Sequence, residues 1–246
     1  YKRSKLDEAF VCELYGRRAD DVIKQMHNGT FTLDNELTGY NRMTYEAILS
    51  YINDMTKYDA VTAARTPITF IELEKRQTIL FPIEIDGQIV KVNLGGTIDR
   101  IDKIGDEVRI VDYKTGSSSS NSGDCNVIDD VFNQNKIQKL KGILQTLIYC
   151  MVYSQLNPTC EVVSPYLFVT QNLRNKSSEF KIHSRDDEFA NGNYLKVADR
   201  VREFTSATLT SIFDPHTPFE QTTNQQMCEH CTFAYFCNLQ QKAKHN

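Results

Sequence analysis

The spacing of hydrophobic positions changes character twice along this chain. Over residues 4–27, Leu6, Phe10, Val11 and Leu14 recur at helical intervals, and over 42–56 Met43, Ala47, Ile48, Tyr51, Ile52 and Met55 form one stripe. Intervals of three and four residues line up on one side of a helix, so both segments are predicted helical. The polar stretch "NGTFTLDNELTG" at 28–39 separates them as a loop or linker. From 67 to 114 the pattern turns to Ile, Val and Thr runs broken by Asp86-Gly87 and Gly105-Asp106, which predicts about four strands joined as hairpins. "SSSSNSGD" at 117–124 is a flexible loop, and residues 136–155 return to a strong helical period. "EVVSPYLFVT" at 161–170 predicts a strand, a second strand is expected near 178–183, and 187–213 is expected to be helical. The order helix, strands, helix, strand, helix predicts α/β or α+β architecture, with a mixed sheet flanked by helices.

Within this pattern "GGTIDRIDKIGDEVRIVDYKTG" at 95–116 packs Asp99, Asp102, Asp112 and Lys114 among β-branched residues. If Gly105-Asp106 is a two-residue turn with Gly first, residue 104 faces 107. The register then places Asp99 directly opposite Asp112, with Cβ atoms roughly 5 Å apart. Lys114 lies two residues beyond Asp112 and shares its face, which carries Thr97, Asp99 and Ile101 on one strand and Ile110, Asp112 and Lys114 on the other. The opposite face carries Arg100, Asp102 and Arg109, with Asp102 opposed to Arg109 as an ion pair.

Two carboxylates that close repel unless a cation lies between them. A divalent ion with oxygen ligands, Mg²⁺ or Mn²⁺, resolves the repulsion, and a neighbouring lysine stabilises a developing oxyanion or orients water. That set suits phosphodiester hydrolysis. The competing reading is a solvated hairpin in which Lys114 merely pairs with Asp112 or Asp99, and Asp102 is assigned to such a structural role.

Composition narrows the choice. The 246 residues suit one large domain or a domain with a small appendage, and 40% hydrophobic content supports a real core. No apolar run is long enough to span a membrane, and no secretory signal is seen. A net charge of −4 argues against a histone-like DNA coat but leaves room for a local basic groove. Of seven cysteines three are clustered, which favours metal binding over a disulfide framework and places the protein in a reducing, cytoplasmic compartment. A chain that begins with Tyr1 is expected to be a piece of a longer protein.

The segment "GxxDRID…VRIVDYKTG" resembles the PD-(D/E)XK nuclease superfamily, and more narrowly its RecB-like branch, which includes the nuclease domains of RecB and AddA/AddB helicase–nucleases. The resemblance implies a restriction-endonuclease-like α/β core with a mixed sheet. It assigns metal binding to Asp99, Asp112 and the Tyr113 carbonyl, and catalysis to Lys114. "QTLIY" matches the branch's Q-x-x-x-Y motif, and Gln145 and Tyr149 share one helix face beside the site. "CEHCTFAYFC" is similar to the branch's C-terminal iron–sulfur segment. It implies a 4Fe–4S cluster, or zinc, on Cys228, Cys231 and Cys237, with Cys12 or a cysteine before Tyr1 as fourth ligand. His230 is a poor ligand by geometry, and Cys125, Cys150 and Cys160 are expected to be ordinary.

The chain departs from the pattern in one respect. No early G-x-x-x-H motif occurs in residues 1–60, His27 stands alone as a surface residue, and Glu72 and Glu74 are the acidic candidates, with Glu74 kept as a further ligand. The resemblance implies a DNA exonuclease domain of a helicase–nuclease in double-strand break repair, with a helicase partner and no membrane. Lys136, Lys139 and Lys141 either contact backbone phosphates or form a solvated helix end. The expected organisation is an N-terminal helical segment at 1–60, a nuclease core at 61–225 and a cysteine tail at 226–246. The alternative is a non-catalytic DNA-binding or assembly module that keeps the fold.

Overall fold

A long antiparallel hairpin is the frame of the molecule. The structure is a computed structural model and describes residues 5–6, 39–114, 128–133, 136–169, 180–184, 187–220, 222, 228, 231–234 and 236–237. Five strands are ordered β1 to β5 across one sheet: β1 (Lys5–Leu6), β2 (Ile68–Ile85), β3 (Gln88–Ile104), β4 (Glu107–Lys114) and β5 (Val163–Val169). The first four pair antiparallel and β5 runs parallel to β4, so the sheet is mixed. A parallel neighbour requires a crossover. Helices α2 (Asp129–Phe132) and α3 (Ile137–Leu156) supply it.

Helix α1 (Gly39–Arg65) precedes the sheet and ends where Thr66-Pro67 disfavours further helix. Helix α4 (Ala198–Phe213) follows a 3₁₀ turn at Tyr194–Lys196. Ile143, Leu147, Cys150 and Met151 of α3 pack with Val201 of α4 on one face of the sheet, over Ile101, Ile110, Val163 and Leu167. Tyr58 of α1 covers the other face with Val111, Phe168 and Phe180. All seven residues of β5 are buried, as expected of a strand sandwiched between two layers. The architecture is the expected α/β one, a restriction-endonuclease-like mixed sheet flanked by helices.

Several expectations change. Residues 67–114 form three strands rather than about four, because β2 and β3 each run unbroken to the Asp86-Gly87 turn. Asp86 and Gly87 have φ of 51° and 72°, the mirror-image turn whose twist matches paired strands. The helix expected at 42–56 extends over Gly39–Arg65, and the one expected at 187–213 begins only at Ala198. Of the helix expected at 4–27, Lys5 and Leu6 instead pair with Thr69 and Ile68 as an edge strand, and the remainder lies outside the described residues. The strand expected near 178–183 is present as edge pairing: Leu167 N–H donates to Phe180 O and Ile182 N–H to Pro165 O. The loop expected at 117–124 lies outside the described residues.

Gly95 is required by the hairpin itself. Its φ is 143°, and a Cβ there would stand 2.1 Å from the Gln77 carbonyl oxygen of β2. We predict that Gly95→Ala destabilises the fold by on the order of 2–4 kcal/mol, since backbone is what must give way. Thermal unfolding beside wild type checks this; an unchanged midpoint would remove the close approach.

Candidate active site

The register of the β3–β4 hairpin follows from its turn as expected. Gly105 has φ 58°, Ile104 faces Glu107, Asp102 faces Arg109 and Arg100 faces Val111. The ladder ends there, one pair short of Asp99 and Asp112. The expected direct opposition of these two carboxylates is therefore replaced. Asp99 turns its Oδ2 to accept the Tyr113 N–H at 2.8 Å, and this side-chain bond takes the place of the next rung.

The reason lies across β3 in β2. Leu73 pairs with Arg100 and Lys75 with Ile98, but Glu74, opposite Asp99, has φ 47° and leaves the ladder. Ile71 adds a bulge just before. In a regular strand residues 96, 98 and 100 share one face. Here Gly96 lies against Tyr149 of α3 and Ile98 is in the α3 core, whereas Arg100 reaches Asp59 of α1. Side-chain alternation breaks at the Glu74–Asp99 step, so the expected shared face of Thr97, Asp99 and Ile101 does not hold. Bulges of this kind re-aim side chains beside functional sites.

Asp112 and Lys114 sit at the open end of β4. Lys114 Nζ lies 2.6 Å from Asp112 Oδ2, an ion pair whose angle leaves that buried oxygen without a well-formed hydrogen bond. The same ammonium donates to Gln145 Oε1 at 3.0 Å, and Gln145 Nε2 donates to Tyr149 Oη at 3.0 Å. Gly96 leaves room for the Tyr149 hydroxyl, which a Cβ there would meet at 3.0 Å. The residues expected at the site are thus brought together as a chain, Asp112–Lys114–Gln145–Tyr149, with Asp99 held through Tyr113.

Electrostatics follow from burial. Burial pushes the Asp112 carboxyl above its usual range; Lys114 opposes this and Asp99 adds to it. Partial desolvation and the Asp99 charge raise Glu74 in the same direction. A carboxyl whose folded pKa is raised favours folding most below its unfolded value of 3.8, and that advantage is lost as pH rises through the folded value. We predict that Asp112→Asn raises the unfolding temperature of the metal-free protein at neutral pH, with the difference vanishing in acid. Melting curves at two pH values check it; a variant less stable than wild type at neutral pH contradicts it.

The donors Asp99, Asp112 and the Tyr113 carbonyl are hard oxygens, and the buried Asp112 oxygen lacks a full complement of partners. That chemistry fits Mg²⁺ or Mn²⁺. Among the described residues no three His, Cys, Asp or Glu side chains converge closely enough to hold a metal by themselves, so Glu74 faces Asp99 without closing a ligand set. Among the described residues Cys228, Cys231 and Cys237 likewise form no such group; Cys231 N–H donates to Cys228 O and Cys237 N–H to Ala234 O. Cys12 lies outside the described residues. Cys150 is buried and apolar in its surroundings, as expected.

The remaining candidates separate. Lys136 is tied to Asp130 at 2.8 Å, Lys141 is exposed, and the Lys139 side chain lies outside the described residues. Glu72 pairs with Lys75 rather than facing the site. On the opposite face the expected Asp102–Arg109 ion pair is present, and it is buried rather than solvated. Asp102 is fully buried, accepts from Arg109 Nε and Nη2 at 2.6 and 2.8 Å, and accepts from Arg100 Nε at 2.5 Å. Arg100 also donates to both oxygens of Asp59 and to the Tyr113 hydroxyl. Sequence reasoning missed Asp59 and Arg100. The signal was an arginine between two aspartates in β3, and nothing local pointed to Asp59.

Fold and site together define a class: an α/β protein with a carboxylate–lysine site at the open end of a central hairpin. A family model described as the PD-(D/E)XK nuclease superfamily matches residues 6–238, and the chain belongs to that superfamily, whose members are generally phosphodiesterase nucleases. A comparison with curated proteins found no match. Among solved structures, one described as "Crystal structure of SSO0001" is 14% identical with a TM-score of 0.32, covering 94% of this chain and 85% of that one. At that level it adds nothing to the family assignment. No helix among the described residues is long and apolar enough to cross a membrane.

Proposed function

We propose that this chain is a metal-dependent deoxyribonuclease domain that hydrolyses DNA phosphodiester bonds, an exonuclease of the RecB/AddB type. The single observation that carries this reading is the placement of Lys114. Its ammonium is held between Asp112 and Gln145, next to the strand end where Asp99 and Tyr113 meet. Asp99, Asp112 and the Tyr113 carbonyl would hold Mg²⁺ or Mn²⁺, with Glu74 as a further acidic neighbour. The ion supplies charge neutralisation at the scissile phosphate and favours deprotonation of water. Lys114 donates to phosphate oxygen as negative charge builds, or orients the attacking water. Gln145, itself anchored by Tyr149, fixes the direction of that ammonium.

The Q-x-x-x-Y pair at 145–149 supports the RecB-like branch, and with it a helicase partner and a role at double-strand breaks. A cluster on Cys228, Cys231 and Cys237 rests on their spacing alone, and no part of the reaction draws on it; iron and zinc analysis of the purified chain tests it. One observation favours the second reading, a non-catalytic DNA-binding module: the acidic side chains do not close a ligand set. Incubation of the full chain with linear DNA, in Mg²⁺ or Mn²⁺ and in chelator, decides between the two. Cation-dependent loss of the DNA is expected. DNA left intact in both metals would leave the binding module.

A further inference from the structure

Behind the site, on the α1 side of the sheet, lies a charged network that the reaction as proposed does not use. Arg100 is 4% exposed and is bound by Asp59 of α1, Asp102 of β3 and the Tyr113 hydroxyl of β4. Arg109 completes the charge balance through Asp102. Two arginines and two aspartates thus sit buried where apolar residues of similar volume would serve stability at least as well. Their distinguishing property is direction.

That direction converges on Tyr113, the residue between Asp112 and Lys114. The β3–β4 backbone ladder has already ended at Arg100 and Val111. Beyond it, two side-chain bonds from consecutive residues of β3 reach Tyr113: Asp99 takes its N–H at 2.8 Å, and Arg100 gives its hydroxyl a hydrogen bond at 3.2 Å. Asp59 holds both terminal nitrogens of Arg100, at 2.6 and 3.0 Å, so the donor's direction is set from α1, 41 residues away in sequence. On its other edge β4 stays paired with β5 through Asp112↔Leu167, Tyr113↔Phe168 and Lys114↔Val169, so the two side-chain bonds to Tyr113 are what fix its end against β3, and a shift there moves Asp112, the Tyr113 carbonyl and Lys114 together.

We infer that the chain Asp59–Arg100–Tyr113 is a positioning device for the β4 end of the site, acting on Asp112, Lys114 and the Tyr113 carbonyl through the Tyr113 hydroxyl; this rests on the metal-dependent reading above. None of the three side chains acts on substrate. Each fixes the direction of the next, as outer-shell partners do for ligands they never replace.

Tyr113→Phe is the test, because it removes one hydroxyl and keeps the ring on Phe168, whose centroid is 5.7 Å away. Arg100 retains Asp59 and Asp102 in that variant. Mn²⁺ affinity of the full chain, read by calorimetry, is measured with the unfolding temperature and with kcat and KM on linear DNA. The expected result is Mn²⁺ binding about tenfold weaker and kcat lower by a similar factor, within outer-shell effects, with KM for DNA little changed. The unfolding temperature should stay within about 2 °C of wild type. Wild-type Mn²⁺ affinity in the variant overturns the inference, and so does weakened binding that comes with a large fall in unfolding temperature, which marks the hydroxyl as structural only. Wild-type protein that binds no Mn²⁺ overturns the metal-dependent reading and this inference with it. Wild type that binds Mn²⁺ without cutting DNA sinks only the nuclease assignment, and the affinity comparison still decides the positioning role.

Discussion

Lys114→Ala is expected to lower kcat for DNA cleavage by about 10²–10³-fold, the range for removing one preorganised donor from developing negative charge. The side chain is a quarter exposed, so its loss leaves no large cavity. What disappears is the cation beside Asp112 and the donor to Gln145. Burial alone already disfavours ionised Asp112, and without the ammonium the penalty grows. The variant is therefore expected to be slightly less stable at neutral pH and more nearly normal in acid. Asp112→Ala should abolish cleavage to a similar degree for a different reason, loss of a ligand rather than of a donor. The two are separated by Mn²⁺ titration, which Asp112→Ala should weaken strongly and Lys114→Ala should not. A fall in kcat of less than tenfold for Lys114→Ala would take the lysine out of the chemistry.

The largest effect on stability belongs to Asp102. Its carboxylate is fully buried and serves Arg100 and Arg109, themselves 4% and 1% exposed. Asp102→Ala leaves Arg109 without its carboxylate in a water-poor layer under the Tyr166 ring. Breaking such a pair costs about 3–5 kcal/mol. A domain holds only about 5–15 kcal/mol in total, so the variant should be largely unfolded at moderate urea. Replacing Arg100, Asp102 and Arg109 together by apolar residues should cost far less, because no uncompensated charge then remains. Urea titration of single and triple variants makes the comparison. A loss below about 1 kcal/mol in the single variant would mean that water reaches this layer.

Much of the framework was legible in order along the chain. Gly105-Asp106 fixed the β3–β4 register because a two-residue turn with a left-handed first position allows few alternatives, and Asp102 duly faces Arg109. Gln145 and Tyr149, four apart on α3, share a face by helical geometry, and they are hydrogen-bonded there. The length of β2 and β3 was not legible, because alternation is interrupted within both and nothing local marks where a hairpin leaves the sheet.

The sequence by itself therefore determined the α/β order and the turn register, since both follow from interactions between near neighbours, and its resemblance to a family supplied the candidate set Asp99, Asp112, Lys114, Gln145 and Tyr149. Only the tertiary structure decided that alternation breaks at Glu74 and Asp99, that the ladder stops before Asp112, and that the charges behind it are buried. Those outcomes depend on partners far away in the chain: Asp59 reaching Arg100, β5 covering β4, and α1 closing over the sheet. Whether a charge on a strand meets water or a countercharge is set by what packs on that face, and local spacing carries no record of it.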